Sequence, residues 1–235
     1  MGSLKGVGIS AFALKMFMVL LMVGDHLAYF LPWYFPFEFR YAGRLVAPTF
    51  AYLMTVSLLH TRNRSGYILR LVFAGAIMLV GNTALIRLLG GPGIFNNIFL
   101  SLAIGAALID RIERIREGTG NLFLNLLIII LLLPASLHVE GLFLIPAFAL
   151  AFYFLRGNKL LMCLGYILFG GAVVIFFGLM PHQHLQVLAL VPILLYNGRK
   201  GGERAGPFAS KWFFYIFYPL HVWALYLIRH YMFFV

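Results

Sequence analysis

Cysteine is nearly absent from this chain: Cys163 stands alone in an apolar stretch, so an intramolecular disulfide is excluded and packing is the role it suits. Charge is scarce as well. Only 11% of residues are charged, where an ordinary soluble domain has about 25%, and just 7 of them are acids. The sequence has no HExxH, no cysteine cluster, no heptad repeat and no low-complexity tract. "PHQH" carries His182 and His184 at i, i+2 but has no further ligands in sequence, so no metal site is expected. The basic, Gly-rich "NGRKGGERAGP" lacks the Lys-Ser/Thr ending of a P-loop, which leaves a flexible connection or a contact for an anionic ligand.

What the chain does have is apolar surface. Hydrophobic residues make up 63% of it and mean hydropathy is +0.95, which predicts an all-α, polytopic transmembrane helical bundle with the lipid bilayer as its first partner. No stretch between apolar segments is long enough to fold separately, so residues 1–235 read as a single membrane domain. The net charge of +11 would suggest nucleic acid in a soluble protein. Here the Lys and Arg sit in short loops, so orientation explains them and no nucleic acid is expected.

About nine spans are predicted, at 11–31, 43–59, 67–88, 94–109, 122–137, 141–155, 160–179, 185–196 and 208–231. The first is too long for a signal-peptide core and stays in place as a helix, and "MGSLKG" lacks the Ser or Thr of a myristoylation site. With the N-terminus inside, 14 of the 18 Lys and Arg fall in cytoplasmic segments, from Lys5 to Lys211, leaving Arg40, Arg44, Arg87 and Arg229 outside. The positive-inside rule then places the C-terminus outside.

Polar residues collect on the outer side of this topology. "LLMVGDHLAYFLP" sets Asp25 beside His26 inside a span, where ionisable groups are costly and mark function or satisfied helix-to-helix bonds. Adjacent helical residues point about 100° apart, so His26 needs a partner on another helix and Asp25 a cation such as Arg44 or Arg87. Arg44 opens a span whose Pro48 is expected to kink the helix and bare carbonyls, or else Arg44 snorkels to headgroups. In "FFYIFYPLHVWALYLI", Pro219 frees a carbonyl near Tyr215 and His221 follows at mid-membrane depth, where imidazole must satisfy both a donor and an acceptor.

These landmarks resemble the TraX family of integral-membrane acetyltransferases, named for the enzyme that acetylates conjugative pilin. The resemblance runs from the first span to the last: "GDH" at 24–26, "GRLVAPTFAYL" at 43–53, "HTRN" at 60–63, "NNIFLSLAIG" at 96–105, "EGLFLIPAFALAFYFLRGNK" at 140–159, "LALVPILLYNGRKG" at 188–201 and "FYIFYPLH" at 214–221. Ser101, Val46 and Thr49 depart from the family's pattern without removing a candidate catalytic group.

The resemblance implies acetyl-CoA as donor, an amine as acceptor, such as the N-terminus of a pilin or other exported peptide, and a bacterial cytoplasmic membrane location. Acetyl transfer then needs a base and an oxyanion partner. His26 is the expected base, Asp25 its charge-balancing neighbour and His221 the reserve. Arg44, Asn97, Tyr218 and Glu140 are candidates on the substrate and oxyanion side. Arg62, Arg64, Lys200 and Lys211 are candidates for the CoA phosphates at the inner mouth. A proton-coupled transporter built on the same intramembrane Asp, His and Arg, or a noncatalytic partner in membrane assembly, are the competing classes.

Overall fold

The computed structural model describes residues 8–90, 93–177, 181–203 and 206–233. Lys5, Arg204 and Leu179, which entered the reading of loops and spans, lie outside them. Among the described residues the chain is helical, with a single isolated bridge between Ile9 and Tyr196. The α-helices are α1 (Ala11–Phe30), α2 (Glu38–Gly43), α3 (Val46–His60), α4 (Arg64–Leu89), α5 (Ile98–Arg116), α6 (Leu122–Ala135), α7 (Leu144–Leu155), α8 (Lys159–Phe177), α9 (Leu190–Leu195) and α10 (Gly206–Phe233). Short 3₁₀ turns run over Ser136–His138 and Pro181–Ala189.

Among the described residues, three segments are long and apolar enough to cross a bilayer: Ala11–Phe30, Glu38–His60 and Arg64–Leu89. The 26 residues of α4 rise about 39 Å, which exceeds a hydrocarbon core of about 30 Å. Large apolar side chains cover its outside, with Phe73 68% and Val80 69% exposed. That pattern suits lipid and would be a liability in water.

The chain divides into two compact units. The first comprises Met1–Thr49, Thr83–Ile94 and Gly170–Val235, and the second Phe50–Asn82 and Phe95–Phe169. In the first, Leu14, Met18, Met22, His26 and Phe30 form a buried stripe along α1 at a spacing of four, the spacing that keeps side chains on one helix face. Ser10 caps α1 by accepting from the Ala13 N–H at 3.3 Å, a contact worth about 1 kcal/mol.

In the second unit α5 packs on α7 where Gly105 lets the backbones close: a Cβ there would lie 3.2 Å from the Ala149 methyl. Phe152 stacks on Tyr166 with centroids 5.3 Å apart, adding about 0.5–1.5 kcal/mol beyond area. Thr55 turns its hydroxyl back to the Ala51 carbonyl at 2.9 Å, so its buried oxygen is satisfied within α3.

Three local expectations change. A separate helix, α2, precedes α3, so Arg44 caps α2 rather than opening the next span. Pro48 falls in the first turn of α3, where a missing N–H breaks no helical bond, and the expected kink has no cause there. The predicted span at 185–196 is the end of a 3₁₀ segment that passes at Ala189 directly into a six-residue α-helix, shorter than a membrane span.

Candidate functional site

His26 continues the buried stripe of α1 and is 4% exposed. Its Nδ1 lies 2.7 Å from Nε2 of His221 on α10, with the rings inclined by 13°. Phe30 and Tyr218 meet the His26 ring edge-on, with centroids 6.3 and 6.0 Å away. The His221 Nδ1 is 2.9 Å from the Phe217 carbonyl, one turn earlier in the same helix.

That carbonyl fixes the protons. A carbonyl oxygen only accepts, so His221 Nδ1 carries a hydrogen and, in the neutral ring, Nε2 carries a lone pair. His26 Nδ1 therefore donates to His221 Nε2, and the lone pair of His26 resides on Nε2. One backbone oxygen thus orders two imidazoles, and leaves the inner ring in the tautomer of a base.

Asp25 faces a different neighbour, as the helical offset of about 100° requires. Its Oδ1 is 2.9 Å from Arg40 Nη1 and 3.6 Å from Arg44 Nη2. Arg44 also donates through Nε to the Arg40 carbonyl at 3.1 Å and through Nη1 to Gln183 Oε1 at 3.4 Å. The guanidinium of Arg40 covers the Tyr29 ring at 5.0 Å. Gly43 is required for this arrangement, since a Cβ there would overlap the Asp25 carboxyl group. The residue that holds the His26 ring is thus a second histidine, while Asp25 balances two arginines.

Arg44 is one of the two cations the sequence offered to Asp25, and Arg87 stays exposed. Arg40 and Gln183 were missed. "RYAGR" does place Arg40 and Arg44 four apart, on one helical face, a signal that becomes legible once 38–43 is seen as helix. His182 of "PHQH" packs between Phe37 and Tyr41, with centroids 5.5 and 5.6 Å away.

The second unit holds its own polar centres. Glu140 accepts from the backbone N–H of Asn97 at 2.5 Å, and its carbonyl accepts from the Ser101 hydroxyl at 2.6 Å. Asn97 Nδ2 donates to the Gly75 carbonyl at 2.9 Å. Glu140 therefore holds Asn97, the N-cap residue of α5, from 43 residues further along, and sets a negative charge near that helix N-terminus.

At the other end of α5, buried Asp110 pairs with Arg111 and Arg114, and Glu113 with Tyr153 and Arg156. Arg64 pairs with Glu117 at 2.6 Å, which holds that exposed carboxyl below its usual range, chiefly through the hydrogen bond. Arg62 is exposed on the bend before α4.

Asp25, His26, Arg44, Lys200, Lys211, Tyr218 and His221 thus belong to the first unit, and Arg62, Arg64, Asn97 and Glu140 to the second. Lys211 is exposed with its ammonium 5.2 Å from the Trp212 ring. The 197–201 stretch is tied down: Ala11 and Phe12 donate backbone hydrogen bonds to the Arg199 and Lys200 carbonyls at 2.9 and 3.0 Å.

Comparison with known proteins adds a family. The probable fimbrial assembly protein FimC, serogroup H1, of Dichelobacter nodosus is 28% identical, over 93% of this chain and 95% of its own length. No solved structure matches the chain. The family model described as TraX protein matches residues 10–229, a stretch that takes in every candidate residue of both units, and the chain belongs to the TraX family.

Proposed function

We propose that this membrane protein is an acetyltransferase that moves the acetyl group of cytoplasmic acetyl-CoA to an amine on the outer side of a bacterial cytoplasmic membrane. The observation that carries the proposal is the His26–His221 pair, a buried base whose tautomer is set by a main-chain oxygen. Membership of the TraX family supports the reaction class. The similarity to a probable fimbrial assembly protein supports an exported, pilin-like peptide as acceptor. The family match runs through both units, which favours one functional domain over 1–235.

In the reaction, the acceptor nitrogen attacks the thioester carbonyl while His26 Nε2 takes its proton. The C–N bond forms and the carbonyl becomes an oxyanion; the C–S bond then breaks and the CoA thiolate leaves, taking the proton back from the imidazolium. Proton transfer of this kind contributes about 10²–10⁴-fold. His221 spreads the transient charge through the shared hydrogen bond. Arg44 or Tyr218, both in the unit that holds His26, is the proposed partner of the oxyanion. Lys200 and Lys211, of the same unit, are proposed to meet the phosphates of the donor.

The nine-span topology, N-terminus in and C-terminus out, belongs to the same proposal. It is supported by the ionic cluster that joins the start of α4 to the ends of α5 and α7, three chain positions the positive-inside rule puts on one side.

A hydrogen-bonded histidine pair next to a buried Asp–Arg set also suits a proton-coupled carrier. Proteoliposomes given radiolabelled acetyl-CoA and a pilin-like peptide decide between them. Label on the peptide amine is the expected result; peptide flux without a covalent product would establish the carrier instead.

A further inference from the structure

The segment 8–12 and the basic turn at 195–201 lie side by side in the first unit. Ile9 donates to the Leu195 carbonyl at 2.8 Å and Asn197 donates back to the Ile9 carbonyl at 3.0 Å, before the two bonds from Ala11 and Phe12. Gly198, Gly201 and Gly202 have φ of 79°, 65° and 84°, values that side-chain-bearing residues rarely adopt. A Cβ at Gly201 would run into Ser10. The turn is thereby held against the first turn of α1, with Lys200 exposed at its tip.

Lys15 lies one turn further along α1 and is half-buried. The carbonyl of Lys200 accepts from the Phe12 N–H, three residues before Lys15, so the two lysines share this end of α1. Among the described residues neither lysine has an ion pair with an acid: of the acids of this unit, Asp25 is engaged by Arg40 and Arg44, and Glu38 and Glu203 are exposed. Two positive charges at the same end of α1, one of them partly withdrawn from water, are disfavoured unless an anion joins them. A phosphate suits the site, since each ammonium supplies three donors and a compact charge.

We propose that Lys15, Lys200 and the 197–202 turn form a binding site for a phosphate group. Two sources share that chemistry, the nucleotide end of CoA and the headgroup of an anionic lipid. The CoA source rests on the acetyl-transfer reading; the phosphate site itself does not.

Direct binding tests the site without any transfer step, so failure here leaves that reading untouched. The purified protein is placed in nanodiscs of phosphatidylcholine and titrated with CoA by calorimetry. In parallel, thermal unfolding is compared between phosphatidylcholine nanodiscs and nanodiscs of equal parts phosphatidylcholine and phosphatidylglycerol. If CoA is the source, Lys15→Gln and Lys200→Gln each weaken its binding about tenfold, the loss of one charge-assisted contact, and Lys15→Arg retains it. If lipid is the source, CoA titrations are indifferent to the substitutions and the stabilisation by phosphatidylglycerol is lost in both Gln variants. Because Lys200 is exposed, Lys200→Gln must show its share in a folded protein. Wild-type protein that responds to neither probe, or Gln variants that respond to both as wild type does, would overturn the site.

Discussion

The Nδ1 of His26 and the Nε2 of His221 lie 2.7 Å apart although 195 residues separate them in the chain. Since the Phe217 carbonyl claims the other nitrogen of His221, the two rings form a directed chain of donors that ends in a lone pair on His26.

The two histidines should therefore fail differently. His26→Ala is expected to lower kcat by about 10²–10⁴-fold, the cost of a lost base. His221→Phe keeps ring volume but removes the acceptor that selects the tautomer, so kcat falls less and the pH profile of kcat moves with little change in KM. Steady-state kinetics with one defined peptide measures both. A His26→Ala enzyme with near-wild-type turnover, alongside an inactive His221→Ala, would reverse the roles.

Gly43→Ala should displace α2 from α1, because the added methyl occupies the place of the Asp25 carboxyl group. Overpacking of this kind costs about 1–3 kcal/mol. The double variant with Asp25→Ala is expected to lose less stability than the sum of the two single changes, since the collision is gone. Strict additivity in detergent unfolding would show that the contact is not made.

Asp110 and Glu117 both pair with arginine, yet they should differ in consequence. The Asp110 side chain is 1% exposed and holds Arg111 and Arg114, so Asp110→Ala leaves two half-buried cations without their shared acid and should lower the unfolding midpoint clearly. Glu117 is exposed and its replacement by Gln should change stability little. What the Glu117 pair does contribute has a defined sign. Its carboxyl pKa is lowered by Arg64, so the contribution is fully present above the unfolded carboxylate value and is lost as pH falls through the lowered folded one. Unfolding midpoints of wild type and Glu117→Gln should accordingly converge in acid; a gap that widens there would contradict the pairing.

Topology is open to cysteine labelling once Cys163 is replaced by Ala. Single cysteines at Arg62 and Thr119 are expected to react only with reagent on the cytoplasmic side, and those at Trp33 and Tyr231 only from outside. Reaction of Trp33→Cys and Thr119→Cys from the same side would refute the orientation.

Much of this architecture was legible in local sequence. Hydropathy alone marks α1, α4, α6 and α8, because a bilayer forces every backbone polar group into a helix, and the 11–31 reading differs from Ala11–Phe30 by one residue. The hundred-degree offset between neighbours likewise sends Asp25 and His26 to different partners before any coordinate is known. The family itself is carried by motifs whose order survives along the chain.

The pairing of those motifs was decided by tertiary structure. Hydropathy is a property of each segment, so nothing in "GDH" or "FYPLH" says that α1 and α10 lie side by side, nor which nitrogen of His221 the Phe217 carbonyl takes. Helix α2 is too short and too polar to register as apolar periodicity, yet Asp25 draws Arg40 and Arg44 onto one face and so holds it against α1. Charge in the loops sets orientation, a sum over many residues that sequence contains in full. A proton's position depends on one distance between two rings far apart in the chain, and only the packing of the helices supplies it.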